Sequence, residues 1–401
     1  MKLRSKETYW LLKDGLINTY PSLQHDTTCD VLIIGAGITG ALIAYQLASE
    51  GYHVCIIDER DIGMGSTGAT TAMLQYEIDE PLYSLSRKTN VDIATSSYIE
   101  GVRAIHLLEK IIADIAVDCG FRTKDSLYFA GSKSHLKWLI KEHEARSSCG
   151  IQASWQTSDD LKKKYNINSP GGILSKDGAD VDAYKLTHAL LEHSAKKFDL
   201  QIYDHTSFKK IIHNKKRRIV CTDLNYEIRC DNIVFATGYE TTQILKGRYV
   251  KLNSTYALVS EPMTDLPQKN DDTIFWNTNE PYLYLRSTPD RRIVLGGGDE
   301  PFKDADQRDK LIDEKEKFLI KEARKYFPTL KIIPDFVWAG TFGVTNDSLP
   351  YIGAHRDFPG CYFVLGYGGN GITFSVMGMK IISDALSGNP NKYLDYFRFN
   401  R

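Results

Sequence analysis

Residues 30–40 read Asp30-Val31-Leu32-Ile33-Ile34-Gly35-Ala36-Gly37-Ile38-Thr39-Gly40. The short apolar, β-branched run at the start has the pattern of a strand buried on both faces. Ile38 to Glu50 then reads as a helix and His53 to Ile57 as a second strand, which makes a βαβ unit around GxGxxG. In such a unit the first glycine permits a tight turn, the second lets backbone approach a pyrophosphate, and the third allows close packing of helix on strand. The helix N-terminus offers partial positive charge to the phosphates. An acid about 20 residues further on should accept from a ribose hydroxyl. Asp58 stands there, with Glu59 beside it as the substitute if the strand ends one residue later. An acid at this point disfavours a 2′-phosphate and hence NADP.

The rest of the composition narrows the class. A chain of 401 residues with 42% hydrophobic and 25% charged residues has room for two or three domains of about 150 residues. Its 50 basic and 51 acidic residues nearly cancel, whereas a nucleic-acid binder or polybasic membrane binder carries a basic excess. The mean hydropathy of -0.32, and the glycines that interrupt the most apolar run, Val31 to Ala48, argue against an integral membrane segment. The start, Met1 to Glu7, lacks the apolar core of a secretory signal. Seven cysteines without a CxxC suggest neither a disulfide framework nor a zinc site. The expectation is a cytoplasmic protein without a metal.

Further along, Tyr9-Trp10-Leu11-Leu12 and Tyr20-Pro21 look like an extension packed on the surface. Val91 to Val117 has helical periodicity, as do Asp182 to Lys197, Lys310 to Tyr326 and Ile372 to Leu386. Between Lys251 and Gly298 come strands at Ser254–Ser260, Thr273–Trp276, Tyr282–Arg286 and Ile293–Leu295, with turns and no helix between them. That pattern predicts an antiparallel sheet in a second domain. The fold class is therefore α/β: a Rossmann-like, discontinuous dinucleotide domain (1–83, 165–243 and 338–401) plus an α+β substrate domain (84–164 and 244–337). The basic turn Asn214-Lys215-Lys216-Arg217-Arg218 reads as a solvated hairpin tip.

A second glycine motif, Gly366-Tyr367-Gly368-Gly369-Asn370-Gly371, follows a strand and opens a helix, but no second strand comes after it. It is a poor second dinucleotide site. A helix N-terminus facing an anion suits it better, and in a flavoenzyme that anion is the N1–C2=O edge of the isoalloxazine.

With these motifs in view, the chain resembles the D-amino acid oxidase family of FAD-dependent oxidoreductases, with glycine oxidase, sarcosine oxidase and γ-glutamylputrescine oxidase among its members. The segment Gly65-Ser66-Thr67-Gly68-Ala69-Thr70-Thr71-Ala72 is similar to the family's small-residue stretch that passes the pyrophosphate and reaches the flavin. His205-Thr206-Ser207-Phe208 is similar to its adenine-side strand, and Ala236-Thr237-Gly238 to its strand-end glycine motif. Trp338-Ala339-Gly340, Asp347 and Leu349-Pro350-Tyr351-Ile352-Gly353 lead in family order into Gly369-Asn370-Gly371-Ile372-Thr373. The resemblance implies FAD held by Gly35, Gly37, Ile38, Thr39, Gly40, Asp58, Glu59, Ser66, Thr67, Thr70, Thr71, Ala72, Phe208, Thr237, Gly238, Gly340 and residues 369–373.

Departures from the family carry information too. Phe342 falls where glycine oxidase has an arginine for the substrate carboxylate. Thr373 and Asn370 fall at sarcosine oxidase's carboxylate-binding lysine and active-site histidine. The cysteine that tethers flavin in sarcosine oxidase falls near Gly340. These differences imply dissociable FAD and a substrate without the usual carboxylate anchor.

On the substrate side, Tyr282, Tyr284 and Arg286 alternate with Leu283 and Leu285 and so share one strand face. If that face looks at the flavin, Arg286 would bind a carboxylate bidentately between tyrosine walls; otherwise the polar side faces solvent. Tyr256 is a weaker candidate, and Asn370 a further one. The expected chemistry is oxidation of a C–N bond of an amine or amino-acid-like molecule by hydride transfer to flavin N5, with oxygen or another acceptor reoxidising it. A flavin-dependent hydroxy-acid dehydrogenase and a non-catalytic FAD-binding protein are the alternatives. A pyridine-nucleotide disulfide reductase would need a second complete fingerprint and a CxxxxC pair, and both are missing.

Overall fold

Two sheets built from interleaved stretches of chain divide the molecule. The computed structural model describes residues 1–5, 7–213 and 217–401; Asn214, Lys215 and Lys216 of the basic turn lie outside the described residues. The first sheet has a parallel core in the order Phe358–Leu365, Glu227–Phe235, Thr27–Ile34, Val54–Ile57, Gln201–Tyr203, with Tyr351–His355 antiparallel at one edge. Val31, Leu32 and Ile33 have no exposed surface, as a strand covered on both faces requires. The helices Ile38–Ser49, Ala183–Phe198 and Gly371–Ser387 bury apolar side chains in the same core cluster.

The second sheet runs Pro334–Val344, Lys251–Ser260, Ile293–Pro301, Leu283–Ser287, Thr273–Asn277, Arg122–Phe129, Gly171–Asp180, Met73–Leu74, with Ala153–Thr157 paired to Gly171–Asp180. It is antiparallel except where Thr273–Asn277 runs parallel to Arg122–Phe129. A short helix, Gln268–Asp271, interrupts the stretch expected to hold strands alone. The expected domain divisions also shift. Gly171–Asp180, Met73–Leu74 and most of Pro334–Val344 fall in segments assigned to the dinucleotide domain, yet their hydrogen bonds lie in the second sheet. A strand's own pattern reports that it is buried, not which sheet it joins.

The N-terminal extension is also more deeply placed than expected. Tyr9 and Trp10 are buried, and the residues before them pair with the edge strand, Ser5 N–H to Ala339 O at 2.9 Å and Thr341 N–H to Leu3 O at 2.8 Å. Among the described residues no helix is long and apolar enough to cross a membrane.

One buried group gives the fold an acid limit. His188, on helix Ala183–Phe198, is 1% exposed with its ring edge-on to Tyr184 at 4.7 Å. Burial pushes the imidazole down to about 4, despite Asp182, Asp61 and Glu192 nearby. Its folded pKa lies below the unfolded value, so its contribution is complete above about pH 6.5 and is lost as pH falls toward 4. Denaturant titrations of wild type and His188→Gln are expected to show the stability gap changing by about 3 kcal/mol between pH 7 and pH 4, against the wild type at low pH.

Candidate active site

A cavity runs between the two sheets, from the glycine turn after Thr27–Ile34 to the aromatic residues of the Leu283–Ser287 hairpin. At the first end Gly35 has φ +104°, and a Cβ there would lie 2.6 Å from the Ala236 carbonyl oxygen, so only glycine fits. A Cβ on Gly40 would lie 1.9 Å from the Gly35 oxygen. Gly40 is thus behind the cavity wall, where it lets the helix sit on the turn. Thr67 Oγ1 accepts from Ile38 N–H at 3.0 Å, and Ser66 Oγ is buried beside it with no hydrogen-bond partner. The Asp58 carboxylate accepts from Ala36 N–H at 2.7 Å and Arg60 N–H at 2.9 Å. Burial nonetheless pushes its carboxyl up to about 6. Glu59, Phe208, Thr237 and Gly238 line this end, together with Arg60, which pairs with Glu240 at 2.8 Å.

The middle of the cavity is floored by residues 65–72, where three consecutive carbonyls each take a side-chain donor. Trp338 Nε1 reaches Ala69 O at 2.8 Å and Trp10 Nε1 reaches Thr70 O at 2.6 Å. Arg286 Nε and Nη2 reach Thr71 O at 2.8 and 2.6 Å. The segment is pinned from behind, with Ser66, Thr67, Thr70 and Thr71 on the cavity wall. Ala72 leaves the wall in a left-handed conformation, φ +53°.

This corrects the expectation for Arg286. It shares a strand face with Tyr282 and Tyr284, but the 69–72 segment lies across that part of the face. Its guanidinium is 1% exposed, and its Nη1 lies 3.3 Å from Asp180. Asp180 is also held by Arg122 at 2.7 Å and has Lys124 at 3.7 Å. Arg286 is a positioning residue for Thr71.

At the far end Tyr282 and Tyr284 do line the cavity. Gly296 is the register partner of Tyr284 and would strike its ring if it carried a Cβ, so a glycine lets the ring lie across the neighbouring strand. Tyr256 does not reach the cavity. Its neighbours Thr255 and Ala257 line the wall, and strand alternation turns Tyr256 into the second core, where its hydroxyl donates to Arg308 O at 3.4 Å.

Gly340, Gly369, Asn370, Gly371 and Ile372 are on the wall. Asn370 Nδ2 donates to Gln75 O at 3.1 Å and Glu77 O at 2.7 Å, and Thr373 Oγ1 donates to Gln75 O at 3.0 Å. Both clamp the residues after Met73–Leu74, and Thr373 is off the wall. Helix Gly371–Ser387 starts here without a side-chain cap. Sequence reasoning missed Glu77, Asp79, Trp276 and Tyr239, which also line the cavity and sit in no motif. Tyr367 was visible inside the second glycine motif but received no role.

A cavity built on a GxGxxG turn, roofed by a mostly antiparallel sheet and ended by a bare helix N-terminus, defines an oxidoreductase that works through a bound dinucleotide. The chain matches the DAO family, FAD dependent oxidoreductase, over residues 30–385, and it belongs to that family. It is an enzyme and its cofactor is FAD. YhfW of Bacillus subtilis (strain 168), named by inference as a Rieske 2Fe-2S iron-sulfur protein, is 25% identical, with 98% of this chain and 75% of that protein covered. Gamma-glutamylputrescine oxidoreductase of Escherichia coli K12 is 23% identical, with 96% and 90% covered. Glycine oxidase from Geobacillus kaustophilus shares the fold with a TM-score of 0.79 at 19% identity, covering 94% of this chain and 99% of that one.

The residues present fit FAD. The partnerless Ser66 hydroxyl and the glycine turn supply donors suited to a diphosphate. The uncapped N–H groups at the start of Gly371–Ser387 suit an anionic ring edge.

Proposed function

We propose that this protein oxidises a C–N bond of an amine or amino-acid-like small molecule, using non-covalently held FAD. The carrying observation is the continuity of the cavity: one space joins the phosphate-binding turn to a pocket walled by Trp276, Tyr282 and Tyr284. The names of the glycine oxidase and gamma-glutamylputrescine oxidoreductase relatives support the substrate class. No cysteine or histidine lines the cavity among the described residues, which supports a dissociable cofactor.

Residues Gly35 to Thr39, Ser66 and Thr67 would hold the diphosphate. Asp58, Glu59, Phe208, Thr237 and Gly238 would hold the adenosine half. Thr70, Thr71, Gly340 and residues 369–372 would border the flavin, with Gly40, Ala72 and Thr373 supporting them from behind. Bound there, FAD supplies the acceptor for a hydride.

The chain's own contribution is placement and electrostatics. The dipole and free N–H groups at Gly371–Ile372 stabilise negative charge where it develops. Trp338, Trp10 and Arg286 keep the 69–71 backbone fixed so that little reorganisation accompanies the reaction. The aromatic walls exclude water from the substrate end.

The test is an anaerobic visible spectrum of the holoenzyme with pooled amines and amino acids, and separately with 2-hydroxy acids. Bleaching of the flavin bands by the amine pool alone is the expected result. Bleaching by hydroxy acids alone would replace the C–N reading, and bleaching by neither would point to FAD binding without turnover.

A further inference from the structure

We propose that the substrate end of the cavity recognises a cation, and that Asp79 is its counter-charge; this deepens the C–N reading and rests on it. Arg60 is the one basic side chain on the cavity wall among the described residues, and it sits at the Asp58 end, paired with Glu240 and Glu59. A substrate carboxylate therefore meets no guanidinium or ammonium at the substrate end. Phe342 lines the wall instead.

The acids there are differently placed. Glu77 is fully buried and paired with Arg146 at 3.2 Å, and Arg146 also holds Glu142 at 2.7 Å. Asp79 has no basic group within salt-bridge reach among the described residues. Desolvation pushes its carboxyl above the usual carboxylate range, and the hydrogen bond it accepts from Gly369 N–H at 2.8 Å only partly offsets this, so a cation arriving beside it would restore its charge. Its second oxygen faces the same point as the Tyr282 hydroxyl: a Cβ built on Gly369 would lie 2.7 Å from Asp79 Oδ1 and 3.3 Å from Tyr282 Oη.

Aromatic rings line the same cavity. Tyr282 and Tyr284 lie with centroids 5.8 Å apart, and Trp276 is stacked on Tyr128 at 3.6 Å. Trp276 is buried, and its indole N–H has no hydrogen-bond partner in the protein. A half-buried carboxylate without a basic partner, at a cavity end walled by aromatic rings, suits an ammonium group, which it would hold by ion pairing together with cation–π attraction. The ligand class is an amine that arrives protonated and needs no carboxylate, with a quaternary ammonium as its non-reacting stand-in.

The test uses two probes with the same ring and opposite charge, benzyltrimethylammonium and benzoate, added to the holoenzyme while the flavin spectrum is followed. Neither is a substrate for C–N oxidation to an imine. The ammonium is expected to perturb the spectrum saturably, benzoate not to, and Asp79→Asn to weaken the ammonium about tenfold while retaining FAD. Tighter binding of benzoate, or an unchanged ammonium affinity in Asp79→Asn, would overturn the proposal. If the variant emerges without FAD, the wild-type contrast between the probes alone decides. Ammonium binding through Asp79 in a protein that no amine bleaches would sink the C–N reading and leave the cation site. Amine oxidation with unchanged KM in Asp79→Asn would do the reverse.

Discussion

Gly40→Ala is expected to lose FAD: affinity should fall at least about a hundredfold, equivalent to roughly 2.7 kcal/mol. The reason is local and steric. The added methyl would stand 1.9 Å from the Gly35 carbonyl oxygen and 3.3 Å from Ile56 Cδ1. The obstacle at 1.9 Å is backbone, so relief requires helix Ile38–Ser49 to move off the turn. That movement carries the Ile38 N–H away from Thr67 Oγ1, which accepts from it at 3.0 Å. Overpacking of this kind costs about 1–3 kcal/mol in the fold itself. Titration of apoprotein with FAD by flavin fluorescence, alongside thermal unfolding, measures both effects. Full FAD content at unchanged affinity would show that the helix start is not tied to the turn.

Arg286→Met is expected to destabilise the protein by about 3–5 kcal/mol and to reduce FAD retention, while the enzyme that survives keeps its substrate KM. The variant leaves the Thr71 carbonyl without its two guanidinium donors and removes a charge partner from buried Asp180. The pinned 69–71 backbone then loses one of its three anchors. A substrate-binding arginine would give the opposite split, with a raised KM at unchanged stability. Denaturant unfolding of the variant with steady-state kinetics distinguishes the two roles.

The two substitutions mark where sequence reasoning reaches and where it stops. Gly35 and Gly40 were legible because part of their constraint is local backbone geometry, a positive φ at Gly35 and a close approach to the Gly35 oxygen at Gly40, and the flanking strand and helix reveal themselves by periodicity. Asp58 followed from the same unit, since the length of one βα connection fixes where the second strand ends. The loop at 369–371 was legible for a similar reason: a glycine-rich turn before a helix has few conformations to choose from.

Other features depended on partners far away in the chain. Alternation placed Tyr282, Tyr284 and Arg286 on one face, correctly, yet could not show that residues 69–72 cross that face beside Arg286 and leave the tyrosines open to the cavity. Tyr256 was one residue out of register with the wall, a difference only strand pairing settles. Asp79 had no signal at all; the role proposed for it rests on there being no basic group within salt-bridge reach among the described residues, a property of assembled surroundings.

The residue order thus specified the dinucleotide unit, its glycines and acid, and the two-sheet composition, because each is enforced by short-range sterics and by the periodicity with which a strand or helix buries one face. Sheet membership of Gly171–Asp180, the turning of Arg286 toward Thr71 and the placing of Asp79 beside Gly369 were settled only when the two sheets packed. Those outcomes depend on through-space distances and on desolvation of charge, and neither quantity exists until remote segments are brought together.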